Sequence, residues 1–117
     1  MSAGEPRSGE SSEARQRRVA KNEDFFRKGN EIKERDAALW GSEKCDFICE
    51  CSSLGCMSRL LLTRSEYEHI RAKGDRFVVY PGHEDPSVEI VVERFPTYFV
   101  IEKQGEAGDV ARETDPR

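Results

Sequence analysis

Apolar positions crowd between residues 47 and 101 and thin out before Val19 and after Ile101. Upstream of the dense stretch the chain is charged, with an apolar residue only now and then. Phe25, Ile32 and Leu39 recur every seven positions, and Val19, Phe26 and Trp40 form a neighbouring stripe that Lys33 interrupts. That period predicts one long helix over 13–40 with a thin apolar seam. Gly29 weakens it in the middle and Gly41-Ser42 ends it. The seam has two readings: it packs on the protein's own core, or it offers a surface to a protein partner or a second copy.

Within the dense stretch the pattern changes to short runs. Strands are predicted over 47–51, 57–62, 76–80, 88–94 and 98–103, the last two as an antiparallel hairpin turning near Pro96. Between the second and third strands, Thr63-Arg64-Ser65-Glu66 reads as a capping box, with the Thr63 hydroxyl serving a free helix N–H and Glu66 reaching back to the cap N–H. A short helix follows to about Ala72, stopped by Gly74, with Tyr67, Ile70 and the stem of Arg71 on its core face. The fold class is α+β: a long N-terminal helix, then a small, largely antiparallel sheet domain at 45–103 with one short helix and a zinc knuckle. Residues 1–12 read as a disordered tail and 104–117 as a polar tail that frays.

A domain of about 60 residues buries too little surface to be secure without a staple, which gives the cysteines their interest. All four lie in CDFICECSSLGC, residues 45–56. Residues i and i+2 of a strand point to the same side, with Cα atoms roughly 6.6 Å apart, so the Cys49 and Cys51 thiolates can lean onto one zinc at about 2.3 Å each. That spacing is poor for a disulfide. The small-residue turn Ser52-Ser53-Leu54-Gly55 can bring Cys56 back to complete a three-thiolate knuckle. A structural zinc needs a fourth ligand, and the candidates are Cys45, His69 and His83. Cys45 lies roughly 13 Å from Cys49 along an extended strand. His69 is about 200° around its helix from Tyr67 and tends toward solvent. His83 follows a strand and Pro81-Gly82, where a positive φ at the glycine can turn the imidazole inward. His83 is therefore expected to close the site, with Cys45 in reserve.

Beyond the metal, the composition mostly excludes. No run of apolar residues is long enough to span a bilayer, the first residues lack the apolar core of a secretory signal, and the expected compartment is cytoplasmic, with reduced thiols. The net charge of −4 argues against general nucleic-acid binding. Arg15, Arg17, Arg18 and Lys21 cluster at the helix start but are diluted by acids, and read as a solvated face. There is no G-x-S-x-G, P-loop or H-E-x-x-H, and no C-x-x-C of the zinc deaminases. Glu50, Glu84 and Asp85 are the carboxylates near enough to serve a metal as general bases. The blander expectation is surface charges or partners orienting His83.

Phe47-x-Cys49-Glu50-Cys51-x4-Cys56, Leu62-Thr63-x-x-Glu66-Tyr67, Arg71, Phe77-x-Val79-x-Pro81-Gly82-His83, Val91-Val92-Glu93 and Tyr98-x-Val100-x-Glu102-Lys103 together resemble a family of short, uncharacterised bacterial proteins most familiar from actinobacteria. Asn22-x-x-x-Phe26-Arg27-x-x-Asn30-Glu31 and the closing Asp115-Pro116-Arg117 also fit, so the resemblance covers nearly everything beyond residue 18. It implies a metal site and names no activity, and Cys45 falls outside its pattern. The expected function is a small module with one structural zinc, acting through protein–protein contacts. A thiol redox sensor using Cys45 as a resolving thiol, a nucleic-acid-binding regulator and a metal-dependent enzyme are the alternatives.

Overall fold

The computed structural model describes residues 11–117 apart from 52, 54, 55 and 57. The expected tail lies, up to residue 10, outside the described residues, as does most of the turn between Cys51 and Cys56. The long helix α1 spans Ser12–Leu39, with the Ser11 hydroxyl accepting from the Ala14 N–H as an N-cap. Strand β1 (Lys44–Ile48) pairs antiparallel with β2 (Arg59–Thr63). Helix α2 (Arg64–Arg71) begins on the predicted capping box, both of whose hydrogen bonds form, and buries Tyr67, Ile70 and Arg71 as expected. A second, three-stranded antiparallel sheet follows, in the order β3 (Arg76–Val79), β5 (Phe99–Lys103), β4 (Glu89–Arg94). The apolar core lies between the two sheets and α2, with Tyr67 stacked on Phe47 at 4.3 Å between ring centroids.

The segment read as a fraying polar tail instead carries a helix, α3 (Gly105–Glu113), packed against α1 and β5. Its buried face is Ala107, Gly108 and Ala111. Such small side chains give little apolar signal in a sequence, yet they permit close approach. A Cβ at Gly108 would come within 2.8 Å of the Lys103 carbonyl oxygen.

The seam of α1 divides. Val19 and Phe26 are buried, but Phe25, Ile32, Leu39 and Trp40 face outward. Much of the inner face is instead polar. The Arg27 guanidinium, fully buried, donates to Gly74 O at 2.5 Å, Asp24 Oδ1 at 2.8 Å and Ala111 O at 2.9 Å, and lies 4.6 Å above the Phe77 ring. Lys103 is buried with Glu23 and Glu89 in ion-pair contact, and burial pushes the Glu23 carboxyl well above its usual range. Arg71 donates to Glu31 and Asp115, and Arg117 to Glu31 and Glu68, so the last residues clasp α1 to α2.

Replacing Arg27 with alanine strands the Gly74 and Ala111 carbonyls and takes one of the two cations from the Asp24 carboxylate. It should cost about 3–5 kcal/mol, a large share of the 5–15 kcal/mol typical of a domain. The midpoint of urea unfolding reports it. A variant within about 0.5 kcal/mol of wild type would show that Arg27 does not hold α1, α3 and the β3 approach together.

Candidate metal centre

Strand pairing of β1 stops at Ile48, one residue before Cys49. The extended alternation nevertheless continues. The Cys49 N–H donates to Ser58 O at 2.9 Å and the Glu50 N–H to Val78 O at 2.8 Å. Cys49 and Cys51 therefore share one side and Glu50 takes the other. β3 runs out beside them into the turn Tyr80-Pro81-Gly82-His83, closed by the His83 N–H donating to Tyr80 O at 2.9 Å. Gly82 sits at φ +93°, the conformation the glycine was expected to supply.

This geometry brings together Cys49, Cys51, Cys56 and His83, whose ligand atoms all lie within 4.8 Å of one another. His83 Nδ1 stands 3.6 Å from Cys49 Sγ and 3.4 Å from Cys56 Sγ. Around a tetrahedral ion with sulfur at about 2.3 Å and nitrogen at about 2.0–2.1 Å, the sulfur–nitrogen edge is about 3.6 Å. The residues fit such an ion, with Nδ1 as the donor. Cys49 is fully buried and Cys56 half-buried. The Tyr80 N–H donates to Cys49 Sγ at 3.1 Å, a contact that offsets thiolate charge. The hydrogen bond between the two thiols lowers Cys51 to about 5 and raises Cys49 well above the usual thiol range.

The other candidates lie elsewhere. Cys45 is on β1 opposite Leu62, outside the cluster, with its thiol raised by burial. His69 is exposed on α2 and meets Glu93 at 3.2 Å. Asp85 accepts from Ser87 and Arg15, and Glu84 from the Gly82 N–H, so these carboxylates shape the turn.

Glu50 corrects the expectation of a surface charge. It is fully buried behind the cysteine–histidine cluster. Its Oε1 accepts from the Val78 N–H at 3.0 Å, and its Oε2 from Asn30 Nδ2 and the Tyr67 hydroxyl, both at 2.8 Å. Burial raises its carboxyl and these donors oppose that rise. Asn30 also exchanges two hydrogen bonds with the Ile48 backbone, 2.9 Å from N–H and 2.7 Å to O, so α1 holds the strand end that delivers the ligands. Sequence reasoning gave Asn30 no role beyond its place in the resemblance, and missed the burial of Glu50. The alternation that pairs Cys49 with Cys51 was the available signal, since it sends the residue between them to the opposite side.

Glu50→Gln should destabilise the fold by about 1–3 kcal/mol, because an amide puts a donor against at least one of the existing donors. Chemical denaturation would measure it, and an unchanged midpoint would remove Glu50 as the support of the ligand strand.

No family model, no curated protein and no solved structure matches the chain.

Proposed function

We propose that the chain is a small zinc-stabilised module that works through protein–protein contacts in a reducing, cytoplasmic setting. The observation that carries this reading is the convergence of three thiols and one imidazole nitrogen within 4.8 Å. Three soft sulfur donors with one imidazole suit zinc and leave little for a hard, oxygen-seeking cation. With four protein ligands no coordination position stays open for water or substrate, which marks the ion as structural and not catalytic. The ion links the end of β1, the Cys56 turn and the end of β3, and so holds the two sheets to each other at one edge. The contacts are assigned to the outward stripe of α1, where Phe25, Ile32, Leu39 and Trp40 are exposed together.

Metal analysis by native mass measurement tests the first part. The wild-type chain and Cys45→Ser should each carry one zinc, while His83→Ala and Cys56→Ser should lose it. A strong chelator should lower the thermal midpoint of wild type sharply, since structural zinc in finger peptides contributes on the order of 10–16 kcal/mol at neutral pH. A folded wild-type chain that takes up no metal when zinc is supplied would overturn the reading. Deleting α1 is no clean test of the contact surface, because its inner face supplies Arg27 and Asn30 to the core. Ile32→Glu, on the exposed side, removes the surface and keeps the core.

A further inference from the structure

The outward face of α1 is an apolar stripe on a charged protein: Phe25, Ile32, Leu39 and Trp40 are 68%, 55%, 79% and 87% exposed. At about 100° per residue, Lys21, Phe25, Ile32, Asp36 and Leu39 fall within a sector of roughly 60°, on the side away from Glu23 and Arg27. The stripe has a seven-residue repeat, the spacing that keeps one helix against another along its length. Beside it, Phe25, Phe26, Lys28, Gly29, Ile32 and Ile48 line an open depression of about 610 Å³.

The charges at its two ends are complementary. Lys21 and Asp36 are both exposed, and neither makes an ion pair among the described residues. They stand equally far, in sequence, from a point between Lys28 and Gly29, and so do Phe25 and Ile32. A parallel pair of such helices would set Lys21 on Lys21 and Asp36 on Asp36. An antiparallel pair sets each cation against an acid, and two-fold symmetry makes the match twice. At the centre, a Cβ on Gly29 would meet nothing within 4 Å among the described residues. The monomer therefore has no packing need for glycine there, whereas two helix backbones approach most closely where their contact residues are small. Lys28, beside the same point, is turned aside onto Asp24 at 3.0 Å.

We infer that the partner of this surface is a second copy of the chain, the two α1 helices pairing antiparallel about a two-fold axis beside Gly29. Phe25 of each copy packs on Ile32 of the other, and Lys21 of each meets Asp36 of the other. The inference rests on the reading of α1 as the contact surface and not on the metal.

Sedimentation velocity of the full chain supplied with zinc, over a concentration series from micromolar upward, tests it, with circular dichroism and zinc content measured on the same samples. A reversible dimer is expected. Ile32→Glu should raise its dissociation constant about tenfold or more. Lys21→Glu and Asp36→Lys should each raise it about threefold to tenfold, since each breaks two symmetric pairs. The double variant Lys21→Glu/Asp36→Lys should return it to near the wild-type value. A folded chain that is monomeric at every concentration overturns the inference, as does a dimer indifferent to Ile32→Glu. Single charge reversals that the double variant does not repair overturn the antiparallel register. A folded monomer from which Ile32→Glu removes a different, co-purifying protein also overturns the second copy, and leaves the contact-surface reading standing.

Discussion

The three-residue segment Cys49-Glu50-Cys51 faces two interiors at once, and the arrangement of the molecule depends on it. Extended backbone forces alternation, so two thiols on one side require that the residue between them enter the other. Here the other side is the apolar core, and the residue is a carboxylate. A buried carboxylate is tolerable only when donors surround it. Asn30 from α1, Tyr67 from α2 and the Val78 N–H from β3 provide them. The cysteine spacing thus imposes a requirement on three other elements. Meeting it places α1 across the strand end, α2 over Phe47 and β3 alongside, with the His83 turn delivered next to the thiols.

Charges buried along α1 follow the same logic on a larger scale. Glu23, Arg27, Asn30 and the Glu31 carboxylate face inward, each toward a specific partner from a distant segment. Burying ions brings little net stability over an apolar core of equal volume, because desolvation offsets the attraction. What directional pairs add is a single docking position for each element. Arg27, with acceptors from Gly74 and Ala111, fixes α3 against α1 where the small face of α3 alone would allow sliding.

These pairings explain which parts of the molecule were legible in the sequence. The capping box, the inner face of α2 and the strands to within two or three residues follow from local chemistry and period, and the structure has them. The Cys49, Cys51, Cys56 and His83 cluster was legible because strand alternation and a Gly82 turn are also local rules. α3 was not, since Ala107, Gly108 and Ala111 carry almost no hydrophobic signal. Nor was the inner face of α1. Beside Val19 and Phe26 its buried residues are Glu, Asp, Arg and Asn, which a periodicity argument assigns to solvent. Only the distant partners Lys103, Ala111 and Glu50 reveal them as interior.

Once those polar groups occupy the inner face, the position of the apolar stripe takes on a different meaning. An amphipathic helix normally turns its Phe, Ile and Leu inward because burial there is the favourable term. In α1 the inner face is already committed to Glu23, Arg27 and Asn30, and it cannot be exchanged for the outer one by rotation without stranding all three. The rotation of α1 is therefore fixed by its polar contacts. The exposure of Phe25, Ile32 and Leu39 is a consequence of that fixed rotation. The apolar area leaves water most readily against another surface, and the opposite charges at the two ends of that face and the glycine at its centre are what the proposed antiparallel pairing draws on.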